Sequence, residues 1–72
     1  MTIKEASYIS TQKVYMTSAG DNLHKICYRI YEDCDERLLR ALTLVNRRFD
    51  WCDVAPGDKI IYYPKQIMIQ IV

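Results

Sequence analysis

The feature that most constrains this fold is a turn that leads directly into an amphipathic helix, at residues 20–30. Gly20 and Asp21, residues that favour turns, interrupt a β-prone segment at 13–17. Asn22 suits a helix N-cap, because its side-chain oxygen can accept from a free amide of the first turn. The following apolar residues share one helical face: Leu23, Ile26, Cys27 and Ile30. The sequence therefore predicts a strand, a sharp turn and a helix that packs on a core.

A second helix and a second strand follow. Asp35 can cap a helix, and Asn46 is expected at its end, where the chain leaves the helical conformation and Asn tolerates a left-handed backbone. Residues 56–58, Pro-Gly-Asp, predict a turn, and residues 59–63 predict a strand that stops at Pro64. The apolar face of the second helix consists of Leu38, Ala41, Leu42 and Val45. We expect an α+β fold with a βααβ core, in which two helices pack on a small antiparallel sheet.

Both ends of the chain are predicted to be β-prone extensions of this core. Residues 1–12 are weakly patterned and read as an N-terminal arm or edge strand, whereas residues 13–64 form the domain. Residues 65–72 read as a β-prone tail, with one face of an extended chain formed by Ile67, Ile69 and Ile71. An exposed strand this apolar can pair with another chain. Deletion of residues 66–72 is therefore expected to weaken assembly more than folding.

Composition excludes several classes of protein. The net charge of +1 gives no overall field for nucleic acid, an anionic membrane or an acidic substrate. No run approaches the roughly 18 apolar residues of a membrane span, and no export signal is evident, so we expect a cytosolic chain. An odd number of cysteines at unrelated spacings indicates free thiols: Cys27, Cys34 and Cys52.

No catalytic or metal-binding constellation stands out. The single histidine, His24, is expected on the outer part of the first helix, without a nucleophile or acid motif around it. A metal site would have to combine His24 with the three cysteines, yet no Cys-x-x-Cys pair is present. The acids at 32–36 are expected to be solvated and to cap a helix. We expect neither an enzyme nor a cofactor.

The segment from Arg48 to Asp58 is longer than an ordinary connection, and long loops tend to be functional. It brings basic and aromatic side chains together, as nucleic-acid and glycan sites do, although the near-zero charge disfavours nucleic acid. The candidate partner-binding residues are Arg47, Arg48, Phe49, Trp51, Ile67, Ile69 and Ile71.

Taken together, these motifs resemble a LysM domain over roughly residues 15–64. The family commonly opens with Tyr-x-Val-x-x-Gly-Asp-Thr-Leu and then Ile-Ala. Here the corresponding residues are Tyr15-Met16-Thr17-Ser18-Ala19-Gly20-Asp21-Asn22-Leu23 and Ile26-Cys27, followed by Asn46, Pro56-Gly57, Ile60, Ile61 and Pro64. The chain departs from the family in the longer link at 48–55 and in one extra residue between Gly57 and Pro64. Within the family it is most similar to the LysM-like tail protein X type of contractile phages.

The resemblance implies a structural adaptor of a contractile phage tail or a phage-derived injection system. Its expected partners are baseplate, hub, spike or tube proteins, with multiple copies or a homo-oligomer possible, in a virion assembled in the bacterial cytoplasm. The alternative is a peptidoglycan- or chitin-type glycan-binding module, with a groove formed by Gly20, Asp21, Asn22 and the Trp51 loop. The lack of an evident export signal favours the adaptor.

Overall fold

The computed structural model describes residues 1–52 and 54–71. Within them the chain forms four helices and two strands. Their order is α1 Ile3–Ile9, β1 Lys13–Met16, α2 Leu23–Tyr31, α3 Glu36–Asn46, β2 Lys59–Tyr62 and α4 Lys65–Met68. The predicted α+β class is confirmed, and the central elements follow the order strand, helix, helix, strand.

The two strands pair in antiparallel register, with Tyr15 opposite Ile60 and Met16 opposite Lys59. The pairing continues past β1, since the Thr17 amide donates to the carbonyl of Asp58 at 3.0 Å. Ile60 is buried in the core, and α3 packs against β2. The turn before β2 has Gly57 at φ +84°, a conformation that favours glycine. The sheet is therefore covered by helices on one face.

The caps of α2 and α3 are those that the sequence predicts. The side-chain oxygen of Asn22 accepts from the Lys25 amide at 3.0 Å, and that of Asp35 accepts from the Arg37 amide at 2.8 Å. Helix α3 ends at Asn46, as the sequence predicts, but the left-handed backbone expected there lies one residue later, at Arg47, with φ 51°. Asn46 stays in the helix because its side chain is bonded to β2.

The hydrophobic core draws residues from both ends of the chain as well as from the central elements. It contains Ala6, Ile26, Cys27, Leu38, Ala41, Leu42, Trp51, Ile60, Tyr63, Met68 and Ile71. For so short a chain, each additional buried side chain is a sizeable fraction of the core.

The N-terminal arm or edge strand expected at residues 1–12 is instead a helix over Ile3–Ile9. A capping box starts it: the Thr2 hydroxyl accepts from the Glu5 amide, and the Glu5 carboxylate accepts from the Thr2 amide, both at 3.1 Å. Ala6 then enters the core. The Thr-x-x-Glu pattern was the local signal for this helix.

The β-prone tail expected at residues 65–72 was also wrong over its described part. After Pro64 the chain forms a single helical turn, and amides from Ile67 to Ile71 donate to carbonyls three or four residues earlier. Met68 and Ile71 are buried, and the Met1 amino group donates to the Gln70 carbonyl at 2.7 Å. Burial against the core outweighs the β-propensity of the isoleucines here, because the domain has few other side chains to complete that core.

Candidate functional site

A groove lies between the turn that starts α2 and the loop that follows α3. Its volume is about 700 Å³. The lining residues are Gly20, Asp21, Asn22, Leu23 and His24 on one side, and Phe49, Trp51, Cys52 and Val54 on the other. We call this surface the Phe49 groove. The structure thus brings together the two segments between which the sequence analysis expected a glycan groove; position 53 of that loop lies outside the described residues.

The polar side chains of the turn are engaged within the fold. The buried carboxylate of Asp21 accepts from the Ser18 amide at 2.8 Å and from the Arg29 guanidinium at 2.7 Å. The oxygen of Asn22 is occupied as the cap of α2, and Gly20 has φ +81°, as a turn requires. The turn therefore shapes one wall, and its carboxylate is not free to bind a ligand.

Trp51 anchors the opposite wall to the core. Only 8% of it is exposed, and its indole N–H donates to the Thr43 hydroxyl of α3 at 3.2 Å. The Arg48 guanidinium lies 5.4 Å from the centre of its ring, in a cation–π contact, and also pairs with Asp58 at 3.0 Å. A residue predicted for docking or sugar stacking is thus mostly covered by its own chain.

Phe49, by contrast, is 77% exposed on the same groove. Leu23 and Val54 also line the groove and are both packed against the core. An exposed aromatic ring beside a fixed apolar surface is the type of residue that anchors protein interfaces. The exposed side chains of His24 and Cys52 complete the rim.

The remaining predicted partner-binding residues do not join this groove. Arg47 is exposed at the end of α3, whereas Arg48 is engaged with Trp51 and Asp58. Ile71 is only 5% exposed and belongs to the core. The other two tail isoleucines, Ile67 and Ile69, are half-buried and packed against the core.

The thiols and the histidine are not gathered into a chemical site. Among residues 1–52 and 54–71, no group of three or more His, Cys, Asp or Glu side chains is placed to hold a metal ion. Cys27 is buried, and its burial raises the pKa of the thiol to about 11, whereas Cys34 and Cys52 are exposed. The described helices include none with the length and apolarity to cross a bilayer.

Two contributions to this region were not predicted from the sequence. Leu23 was expected only on the core face of the helix, although a residue in the first turn of α2 also borders the groove. Asn46 was expected only at the end of the helix, whereas its side chain joins α3 to Ile61 of β2. No protein-family model, curated protein or solved structure matches this chain.

Proposed function

We propose that this chain is a structural adaptor that binds another protein through the Phe49 groove. The observation that carries the proposal is the aromatic ring of Phe49, which is 77% exposed beside an apolar surface held by the core. Burying such a ring against a partner removes a large apolar area from water and supplies a central anchor.

The chemistry of the groove favours a protein partner over a sugar. Sugar recognition needs polar groups that meet hydroxyls and an aromatic face on which a ring can stack. Here the Asp21 carboxylate is engaged with Ser18 and Arg29, and Trp51 is covered by Arg48. The exposed groups that remain include an apolar aromatic, and an apolar side chain of a protein complements it best.

We further propose that the assembly is a contractile phage tail or a related injection machine, with hub, spike, tube or baseplate proteins as partners. This part rests on the LysM-like motifs, from the Gly20-Asp21 turn to Pro56-Gly57. A small domain with a stable core and an exposed anchor suits a connecting role, which requires binding without chemistry.

A glycan-binding function is the second candidate, because the groove lies between the turn and the long loop, where the resemblance implies a sugar site. The exposed ring of Phe49 and the two N–H donors of the Asn22 side-chain amide are the features in its favour. In this case Phe49, and not Trp51, is the ring available for stacking.

The test is copurification: the wild-type chain and the Phe49→Ala variant are each coexpressed with candidate tube, hub, spike and baseplate proteins. We expect copurification to fall at least tenfold, about 1.4 kcal/mol, because an interface anchor is lost. The unfolding midpoint in urea should stay unchanged, since the Phe49 side chain is mostly in water. Tyr8→Ala is the matched control, because Tyr8 is an exposed aromatic, 76% accessible, away from the groove.

Pull-down on purified peptidoglycan and chitin separates the two candidates. Retention that Phe49→Ala abolishes, without capture of any tail protein, would replace the adaptor with the glycan module. Trp51→Ala is a poor probe of either function, because it removes a core side chain and should cost about 3 to 5 kcal/mol of stability.

A further inference from the structure

The two outer edges of the small sheet differ in whether their outward backbone groups have hydrogen-bond partners. On β2, the Asn46 side chain accepts from the Ile61 amide at 2.7 Å and donates to the Ile61 carbonyl at 2.9 Å. A side-chain amide thus takes the position of a neighbouring strand at Ile61, in the middle of that edge. Among residues 1–52 and 54–71, no side chain covers the outer edge of β1 in this way.

The register shows which groups of β1 are left open. Because the Thr17 amide donates to the Asp58 carbonyl, hydrogen-bonded pairs alternate along the ladder, and Tyr15 is paired with Ile60. Val14 and Met16 therefore point their backbone groups away from β2. Among the described residues, neither has a backbone partner outside the β1–β2 pair. Their exposure, 49% and 53%, leaves the edge accessible.

The side chains on this edge are apolar as well. Val14 lies opposite Ile61 on the face of the sheet that turns away from Tyr15 and Ile60, and those two pack on or in the core. Strand β1, Lys-Val-Tyr-Met, contains no proline, and its only charge is Lys13 at its start. Its short length and Lys13 give this edge some protection against pairing, but Val14 and Met16, whose backbone groups face outward, carry neither a charge nor a proline.

We propose that the outer edge of β1 binds β1 of a second copy of this chain, in antiparallel pairing about a two-fold axis at Tyr15. Val14 then lies opposite Met16 of the second copy, and each pair exchanges two backbone hydrogen bonds. Lys13 lies opposite Thr17 of the second copy, so like charges do not face each other. Asp58 of the second copy is the neighbour of that Thr17 on its other side, which brings an acidic residue near Lys13. The strand is complementary to itself in hydrogen bonding, apolarity and charge.

Asn46 makes this assembly finite. The combined sheet has the strand order β2, β1, β1, β2, and its outer edges are the two β2 strands, on which the Asn46 side chains occupy the outward backbone groups of Ile61. An isologous contact of this kind stops at two copies, whereas an open second edge would let pairing continue into a fibre. The dimer does not depend on the proposed function, because the Phe49 groove lies on other residues.

Sedimentation equilibrium of the full chain, up to about 1 mM, tests the proposal, because that range covers even weak pairing. We expect a concentration-dependent dimer. The Val14→Lys, Met16→Lys chain places like charges opposite each other and should stay monomeric, and so should the Val14→Glu, Met16→Glu chain. An equimolar mixture of the two should dimerise again. Amide exchange should slow at Val14 and Met16 as wild-type concentration rises, and not at Tyr15, whose amide is already paired.

The matched control is Tyr8→Lys, Tyr28→Lys, which adds the same charge at two exposed aromatic positions elsewhere. It should dimerise like the wild type. A wild-type chain that stays monomeric throughout the range, or like-charged β1 variants that dimerise unaltered, would overturn the proposal. Circular dichroism checks that each variant is folded. If the chain fails to bind a tail protein, that result bears only on the adaptor function and not on the dimer.

Discussion

Asn46 shows how much of this fold depends on one polar side chain. Its amide nitrogen donates to the carbonyls of Leu42 and Ile61, each at 2.9 Å, and its oxygen accepts from the Ile61 amide. It therefore joins the last turn of α3 to β2 and satisfies backbone groups that no strand reaches. Leaving such groups without partners costs more than the net gain from forming their hydrogen bonds.

Asn46→Ala should lower the free energy of unfolding by about 2 kcal/mol, because the Ile61 amide and carbonyl lose their partner in a partly buried position. Urea denaturation followed by circular dichroism measures the loss. Gln70→Ala is the control: the Gln70 side chain is exposed and bonds only within its own turn, at the Gln66 carbonyl, so its effect should stay within about 0.5 kcal/mol. Equal losses in both variants would contradict the role assigned to Asn46.

The central helices and strands were predicted correctly from the sequence, whereas the two terminal segments were not. The central helices have local signals, namely Asn22 and Asp35 as caps and regular apolar spacing, and these signals do not depend on distant residues. In the tail, the alternating isoleucines suit a strand, but the core accepts Met68 and Ile71 from a helical turn. That choice depends on tertiary packing, which local patterning does not encode.

The candidate site was likewise only partly predictable from the sequence. The Gly20-Asp21 turn and the long loop were both expected as walls of one groove, because the resemblance to LysM domains implies a groove between them. Which of the two loop aromatics would be exposed was not predictable, since both suit an interface. The contact of the Trp51 indole with Thr43 decides it, and that contact depends on how the loop returns to α3.

Because the tail belongs to the core, a chain that ends at Pro64 should be unfolded. The truncated chain would lose the buried side chains of Met68 and Ile71 and two half-buried isoleucines. Each of the two buried side chains contributes about 2 to 5 kcal/mol, whereas the total stability of a small domain is roughly 5 to 15 kcal/mol. Circular dichroism and amide dispersion in NMR spectra measure this. Retention of a native spectrum would restore the dispensable tail that the sequence suggested.

Single substitutions separate packing from chain length. Met68→Ala should cost about 3 kcal/mol, because it leaves a cavity in a fully buried position. Gln66→Ala, in the same helical turn but exposed, should leave the urea midpoint nearly unchanged.

For the molecule as a whole, ionisable groups limit stability at both ends of the pH range. The Lys65 ammonium, 2.8 Å from Asp33, lowers the pKa of that carboxyl below 3.8, and Arg37 lowers the pKa of Asp35 likewise. Both groups add stability above their unfolded-state pKa and lose it as pH falls through the folded-state value. The acidic limit therefore lies below about pH 4.

The alkaline limit comes from buried neutral groups. Burial raises the pKa of Cys27 to about 11 from 9.0, and burial also raises the pKa of Tyr31 above 10.0. The Tyr31 hydroxyl donates to the Tyr63 carbonyl at 2.6 Å, which only the protonated form can do. A raised folded-state pKa gives stability that is complete below the unfolded-state value and is lost as pH rises through the folded one.

We therefore expect a broad plateau of stability from about pH 5 to 9, with a decline on each side that can be assigned to a residue. Urea midpoints measured across the range test this. Lys65→Met should make the acidic decline shallower, because the hydrogen bond from Lys65 is the largest cause of the lowered Asp33 pKa, and should leave most of the alkaline decline in place. Tyr31→Phe should lower the midpoint at neutral pH, through the lost hydrogen bond. It should also make the decline above about pH 10 shallower, since a phenyl ring has no proton to release and only Cys27 of the two groups still titrates. If Lys65→Met removed the alkaline limb, or Tyr31→Phe the acidic one, the assignment of the two limits would be wrong.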